Sequence, residues 1–475
     1  MPPHPHPISS THQTKPPPRP LLPFVIFPLL TALGVYTTWL PALRSGLFET
    51  IASVVDASSR SNADRDYSVV LRALKLLPSV SAGSDREGKV IGNGNRIEVV
   101  DSGLPSLRLG EGVLVDWTGV GGFDRFLNLL VVFYDALLDG HMSPGTQLVA
   151  AYFVLQMVGM WTLVLGLSAP GPNDGDRGLS YVRRSLLGLA FNFIDPAIVL
   201  PMFALWHVSR LAHRPPLSST IETSPPEVKD SHPPPSPSIA SVASIKLPNK
   251  AAKRNINITV IPYAVVLGNL LPVLGAIASY ALQYPRATKQ FWVLVWHIYP
   301  LLTCCVHFII TRSISHISTT SPTSPSSRRR HPLSCLFAFT IILSFLSHVF
   351  TLMLPLLLST YHSHYSFSPV RTKIYASLSP LMDLFYQQVS PDTIVHGAYR
   401  FFLCDLVDTE LALMMWGVLG RWVVDGGKGL GVKDKLLRSC SLCGKGFCLS
   451  AILGPAAAAA WMLWDCEELL ATGKR

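Results

Sequence analysis

Long stretches without a charged side chain recur along this chain and limit the folds open to it. An apolar run of about twenty residues is long enough to cross the hydrocarbon layer of a bilayer as one helix. The sequence predicts eight such spans, or nine if the short run at 126–138 also crosses. The predicted spans are residues 21–40, 126–138, 146–167, 185–208, 256–283, 290–311, 332–358, 401–419 and 446–464. The expected fold is therefore all-α, a polytopic transmembrane helix bundle.

The composition agrees with lipid as the main solvent of the chain. Of its 475 residues, 49% are hydrophobic and only 14% are charged, whereas soluble domains carry about 25% charged residues. The net charge of +10 comes mostly from basic residues between the apolar runs, as membrane topology produces. No stripe of Lys and Arg interleaved with aromatic residues is present, which argues against a nucleic-acid partner. The predicted partner of the surface is the lipid bilayer.

The segments around the apolar runs define the predicted domain organisation. It consists of a disordered, Pro- and His-rich N-terminal tail at 1–20, a first transmembrane helix at 21–40, an extramembrane polar loop at 45–122, and a transmembrane bundle at 124–468 with disordered linkers at 213–254 and 313–331. With nine spans, the positive-inside rule places both basic linkers and the N-terminus in the cytoplasm. We expect an integral protein of the endoplasmic reticulum membrane.

Acidic residues interrupt one predicted span in a way that suggests function. Asp405, Asp408 and Glu410 lie within 401–419, although a carboxylate at the centre of a bilayer helix costs about 2.5–3.5 kcal/mol. Asp405 and Asp408 share a helix face, whereas Glu410 is rotated by about 200° from Asp408. Such acids usually face a cavity, but an acid near a helix end can also simply reach the interface.

Two further places combine an acid with a turn or bend. Asp135 and Asp139 are one helical turn apart, and Asp139 is followed by Gly140. Asp195 precedes Pro196 in the middle of the run at 185–208, where a helix must bend and free backbone groups can line a pocket.

A buried carboxylic acid and aromatic side chains together suggest carbocation chemistry. Desolvation disfavours the charged carboxylate, and a neutral acid in an apolar pocket can protonate an alkene or an epoxide oxygen. The faces of tryptophan rings in the predicted spans can stabilise the resulting cation. Ordinary packing in membrane helices is the alternative explanation for each of these rings.

Known metal and cofactor motifs are absent from the sequence. It contains no D-D-x-x-D, D-x-D-D, P-loop, H-E-x-x-H or strand-borne G-x-G-x-x-G. Cys440, Cys443 and Cys448 form an incomplete zinc site, since a structural site needs four ligands. The sequence therefore predicts no metal and no cofactor.

Several short motifs, taken in order, resemble one protein family. They are Asp139-Gly140 with Pro144, Gln156 and Trp161; Pro201; Pro262-Tyr263 with Leu271-Pro272; Gln290 to Trp292 with Trp296 and Tyr299-Pro300; Phe402 to Asp405; and Gly454-Pro455 with Trp464-Asp465 and Glu467. The chain resembles the fungal integral-membrane terpene cyclases of meroterpenoid clusters, the group of the ascochlorin and macrophorin cyclases.

The resemblance implies a metal-independent, membrane-bound terpene cyclase of the isomerase or lyase type. Such an enzyme protonates a prenyl or epoxyprenyl chain and folds it into rings, with a prenyltransferase and an epoxidase as co-localised partners. We take Asp139 and Asp405 as the acid pair, with Asp135 and Asp408 as second choices. The predicted substrate-binding residues are Gln156, Trp161, Trp296 and Trp416.

Two other functions fit the same residues. A proton-coupled transporter of secondary metabolites would use these acids as coupling sites. A non-catalytic scaffold would hold the enzymes of a biosynthetic cluster at the membrane, and its acids would be replaceable.

Overall fold

The computed structural model describes most of the predicted bundle. The described residues are 21–62, 120–138, 144–169, 179–213, 250–317, 332–353, 394–425 and 432–472. The predicted tail at 1–20, the main parts of both predicted linkers and Asp139 lie outside these residues.

Within the described residues the backbone forms helices and short connections and no β-strand, which confirms the all-α prediction for this part of the chain. We number thirteen helices there. They are α1 (Leu21–Arg44), α2 (Leu47–Asn62), α3 (Gly121–Leu138), α4 (Pro144–Leu167), α5 (Tyr181–Phe193), α6 (Pro196–Ala212), α7 (Lys250–Val265, continued by Val266–Leu270 and Leu271–Ala281), α8 (Arg286–His297), α9 (Tyr299–Ile317), α10 (Pro332–His348, continued by Val349–Met353), α11 (Ile394–Asp425), α12 (Val432–Leu453) and α13 (Pro455–Thr472).

Fewer of these helices than predicted are long and apolar enough to cross a membrane. In the described part of the chain, α1, α4, α7, α10 and α12 qualify by length and composition, and a sixth span results if α8 and α9, bent by 63°, count as one. The prediction was eight or nine. The difference arises because α6 has only 17 residues, while α3 and α11 carry several charged side chains.

Two predicted runs are each broken into separate helices. The run at 185–208 is divided between α5 and α6 at Asp195, and the run at 446–464 is divided between α12 and α13 at Gly454. Both breaks precede a proline, which disfavours helical backbone in the residue before it. Asp195 and Gly454 both have positive φ angles, 127° and 89°, so the chain changes direction at these points.

Helix α11 lies at the centre of the bundle and packs most extensively against α13 and α6. Helix α13 begins with five consecutive buried alanines, 456–460. A Cβ added to Gly417 of α11 would lie 3.2 Å from the Cα of Ala459. Small residues on both helices therefore allow a close backbone approach, as is common between membrane helices.

The first helices close one side of the bundle around α11. Leu47, Ile51 and Val55 of α2 are buried, and α2 packs against α3 and α11. By contrast, large apolar side chains such as Leu21 and Leu29 of α1 and Phe447 of α12 are exposed. Exposed apolar surface of this extent is typical of helices that face lipid.

Candidate active site

The break between α5 and α6 holds Asp195 in an unusual conformation. Its φ is 127° and its ψ is 130°, and a non-glycine residue in such a sparsely populated region costs about 1–3 kcal/mol. The side chain caps α6, because Oδ1 accepts a hydrogen bond from the Ala197 N–H at 2.7 Å. Strain of this kind clusters at functional sites, so the break is a candidate site.

Asp405 of α11 meets this break directly. Only 5% of the residue is exposed. Its Oδ1 accepts hydrogen bonds from the Ala197 N–H at 3.2 Å and from the Thr409 hydroxyl at 3.0 Å. The same backbone N–H is thus shared by Asp405 and Asp195, and the two carboxyl groups lie within hydrogen-bonding reach of each other.

The Asp195–Asp405 pair has an incomplete set of hydrogen bonds. Oδ2 of Asp195 is buried and has no hydrogen-bond partner within the described residues. Because an ionised carboxylate only accepts hydrogen bonds, two ionised groups cannot bond to each other. One proton placed on either carboxyl supplies the missing donor, so the geometry suits a pair that holds a single proton.

Asp408 lies one turn further along α11 and faces α1. The Thr37 hydroxyl, in the π-helical turn Val35–Trp39 of α1, donates a hydrogen bond to its Oδ2. Asp408 still interacts electrostatically with Asp195, and the indole of Trp39 lies beside Asp195. The two predicted acids of one helix face therefore meet different partners.

Tyr134 of α3 forms the aromatic wall next to the acid pair. It interacts electrostatically with both Asp405 and Asp195. Its ring lies edge-on to Trp296 of α8, at a centroid distance of 4.8 Å, and 6.4 Å from the ring of Phe402. Trp296, one of the predicted substrate-binding residues, is therefore one ring away from the acids.

Trp161 belongs to a neighbouring aromatic group. Its ring lies 5.9 Å from that of Tyr299 and 6.3 Å from that of Phe191, and it is fully buried. Tyr299 in turn interacts electrostatically with Tyr134, which links this group to the wall of the acid pair.

Two other predicted substrate-binding residues have partners elsewhere in the bundle. The Gln156 side chain accepts a hydrogen bond from the Ser344 hydroxyl at 2.7 Å and donates one to the Ser344 carbonyl oxygen at 3.1 Å. Trp416 donates to Nδ1 of His207 at 3.1 Å. Trp416 lies eleven residues after Asp405, roughly 16 Å along α11, so the structure does not bring it to the acid pair.

Asp139, the predicted partner of Asp405, lies between Leu138 and Pro144, in a stretch outside the described residues. The side chain of Asp135 is also not among those described. Asp195 is not among the predicted site residues, although its position before Pro196 predicted the bend. The sequence feature that could have identified it is an acidic residue directly before a proline inside an apolar run.

A second buried carboxyl lies on another face of α11. Oε1 of Glu410 is buried and has no hydrogen-bond partner in the described part of the chain, while the group lies within hydrogen-bonding reach of Tyr152. The Tyr152 hydroxyl is 3.4 Å from Nδ1 of His348. Glu410 thus joins α4 and α10, away from Thr37 and Asp408, as the 200° rotation predicted.

Among the described residues, no group of three or more His, Cys, Asp or Glu side chains is placed to hold a metal ion.

The chain is 23% identical over 348 residues to terpene cyclase ctvD of Aspergillus terreus (strain NIH 2624 / FGSC A1156), covering 72% of this chain and 83% of that protein. It is 23% identical over 359 residues to terpene cyclase ascI of Acremonium egyptiacum, covering 74% and 79%. No solved structure matches the chain.

The family match covers the acid pair and the aromatic wall together. The profile of the CtvD domain matches residues 98–471, a stretch that runs from before α3 into the last turn of α13. This confirms the resemblance to fungal meroterpenoid terpene cyclases that the sequence motifs indicated. The chain belongs to the CtvD domain family.

Proposed function

We propose that this protein is a membrane-bound, metal-independent terpene cyclase of fungal secondary metabolism. Its substrate is a prenyl or epoxyprenyl chain on a small-molecule scaffold, as expected for meroterpenoids. The names of two relatives support cyclase activity. The observation that carries the mechanism is the buried Asp195–Asp405 pair, which shares the Ala197 N–H at a strained helix break.

The pair supplies the proton that starts the reaction. One carboxyl donates its proton to an alkene carbon, which leaves a cation on the neighbouring carbon, or to an epoxide oxygen, which breaks a C–O bond. The next double bond attacks the electron-poor carbon and closes a ring. The final cation loses a proton from an adjacent carbon to the carboxylate, which restores the acid. No net proton or electron is consumed.

The surroundings of Asp405 suit this cycle. The Ala197 N–H and the Thr409 hydroxyl hold its Oδ1 and stabilise the negative charge that remains after proton transfer. Asp195 orients the proton through its own carboxyl. Fixed hydrogen-bond donors aimed at a developing charge are a general means of lowering a reaction barrier.

Aromatic rings and exclusion of water protect the cation. Tyr134 lies beside the acids, and the rings of Trp296 and Phe402 lie against its ring. The faces of such rings attract a cation without reacting with it, by about 0.5–2 kcal/mol each. Trp296 and Phe402 are almost fully buried, so bulk water is kept from trapping the intermediate.

The apolar helices and the prenylated substrate both support a location in the membrane. We propose an integral protein of the endoplasmic reticulum with a cytoplasmic N-terminus, in which α3, α6 and α11 are held in the bilayer by the helices around them. This would restore eight or nine crossings. A prenylated substrate reaches the site from the lipid, and a prenyltransferase and an epoxidase in the same membrane would supply it.

The test compares two buried acids of the same helix. Asp405→Asn and Glu410→Gln each replace a carboxyl by an amide of the same shape, and both proteins are assayed for cyclic product in detergent. We expect Asp405→Asn to lose about 10²–10⁴-fold in turnover, the usual contribution of a general acid, and Glu410→Gln to remain within a few-fold of wild type.

The same assay separates the other two functions. A transporter forms no product in detergent with any variant, and its flux in vesicles depends on a pH gradient. A scaffold also forms no product in detergent, but it shows no such flux. Unchanged turnover of Asp405→Asn in a wild-type enzyme that does form product would overturn the proposed mechanism.

A further inference from the structure

Four buried polar atoms near the α8–α9 bend have no hydrogen-bond partner within the described residues. They are Nε1 of Trp161, Nε1 of Trp296, Nε2 of His297 and the hydroxyl of Tyr299. The four residues are at most 3% exposed. A buried polar group left without a partner costs about 1–3 kcal/mol, and native proteins satisfy the large majority of such groups. Four of them in one place point to a partner that binds there.

These four side chains form one cluster, which we call the bend site. His297 ends α8 and Tyr299 begins α9, on either side of the 63° bend. The rings of Trp296 and His297 lie 4.9 Å apart, and the rings of Trp161 and Tyr299 lie 5.9 Å apart. Tyr134 lies 4.8 Å from the rings of both Trp296 and His297.

The chemistry of the bend site suits an uncharged oxygen group. The two indole N–H groups and the Tyr299 hydroxyl are donors. Nδ1 of His297 lies 2.7 Å from the Val293 carbonyl oxygen, which only accepts, so Nδ1 carries the proton and Nε2 of the uncharged ring accepts. The donors of Trp296 and Tyr299 together with the acceptor of His297 match one hydroxyl group, which accepts two hydrogen bonds and donates one.

We propose that the bend site binds the oxygen-bearing head group of the substrate, of the phenol type, through Trp296, His297 and Tyr299. This inference rests on the proposed function, because the prenyl end of the same molecule must reach Asp195 and Asp405.

Tyr134 connects the two ends of the bound molecule. Its ring contacts Trp296 and His297 of the bend site and interacts with both acids. Head group and reacting end therefore lie on two sides of a single ring, and an intervening prenyl chain must bind in a folded form.

The test measures binding rather than product. Full-length Asp405→Asn protein in detergent is titrated with a farnesylated phenol and with farnesylbenzene, which lacks the oxygen. We expect the phenol to bind about tenfold more tightly, the value of one good hydrogen bond. Adding Trp296→Phe or Tyr299→Phe should reduce this preference, the ratio of the two affinities, to about twofold.

A matched control is available in the same chain. Tyr263→Phe removes a hydroxyl from an exposed position on α7 and should leave the preference unchanged. If the phenol and farnesylbenzene bind equally, if neither binds, or if the preference survives both bend-site substitutions, the inference is wrong. If Tyr299→Phe does not fold, Trp296→Phe decides. Because cyclisation is not measured, failure of the proposed acid chemistry leaves this result intact and is seen separately.

Discussion

At the scale of single residues, Asp195 combines three roles that rarely occur together. It caps α6 through Oδ1, it holds a backbone conformation that favours glycine, and its carboxyl lies against that of Asp405. A glycine there would cap α6 almost as well, within a few tenths of a kcal/mol, and without the strain. The presence of an acid at this position is therefore best explained by its carboxyl.

This explanation predicts opposite effects of one substitution on stability and activity. Asp195→Gly relieves about 1–3 kcal/mol of backbone strain and removes a buried oxygen without a partner, so the protein should unfold at a higher temperature in detergent. Turnover should fall by at least about 10²-fold. Asp195→Asn keeps the strain and the cap, and we expect similar loss of turnover without the gain in stability. If the Asp195→Asn protein were as stable as the Asp195→Gly protein, backbone strain at this residue would be contradicted.

Asp405 was a predicted acid, but no local pattern pointed to the neighbour that the structure places beside it. Spacing along one helix relates Asp405 to Asp408, yet Thr37 of α1 binds Asp408, a contact that no local pattern contains. The partner found in the structure, Asp195, is 210 residues away along the chain. Only the packing of α6 against α11 brings the two together. The role of Asp139 stays a prediction.

At the scale of helices, the α12–α13 break depends on a clamp between α4 and α10. Gln156 and Ser344 exchange two hydrogen bonds, and the Ser344 hydroxyl also accepts from the Ala457 N–H at 3.1 Å. Gly454 lies against this clamp with a φ of 89°. The predicted substrate-binding role of Gln156 thus competes with a structural one, because both its amide atoms are already bonded.

Replacing the glycine tests the clamp. A Cβ at position 454 would lie 2.8 Å from Oγ of Ser344 and 3.0 Å from Nε2 of Gln156, and left-handed backbone costs an alanine about 1–2 kcal/mol. Gly454→Ala should therefore lower the unfolding temperature clearly. Gly444→Ala in α12, where a Cβ meets nothing within 4 Å, should leave it unchanged or raise it, since alanine favours helix by about 1 kcal/mol. Equal effects of the two substitutions would argue against the clamp.

Helix boundaries illustrate what apolar patterning does and does not determine. The runs at 21–40, 146–167 and 256–283 each form one continuous helix, although Pro28 and Pro262 lie inside two of them. The runs containing Asp195-Pro196 and Gly454-Pro455 did not, although both prolines were visible in the sequence. A proline bends a helix without ending it when the residue before the proline keeps helical backbone. Here the residues before the prolines, Asp195 and Gly454, have positive φ angles, so the helix ends.

At the scale of the whole molecule, charge placement predicts how the chain crosses the membrane. The basic segments at 313–331 and 424–438 fall on the cytoplasmic side if the N-terminus is cytoplasmic, and the loop at 45–122 then faces the lumen.

Glycosylation mapping tests this topology directly. A glycosylation sequon introduced near residue 90 should be modified in endoplasmic reticulum microsomes, and one introduced near residue 10 should not. The native sequon at Asn257 should remain unmodified as well. A sugar at residue 10 with none at residue 90 would show that the protein has the opposite orientation in the membrane.

If Asp195 and Asp405 act as one acid with one proton, the effects of replacing them should not multiply, and a comparison of single and double substitutions measures this. Turnover in detergent is measured for wild type, Asp195→Asn, Asp405→Asn and the protein with both changes. Residues that act as a unit are strongly non-additive, so we predict that the double variant is no more than a few-fold slower than the slower single variant. Losses that multiply, or a single variant with wild-type turnover, would contradict the claim.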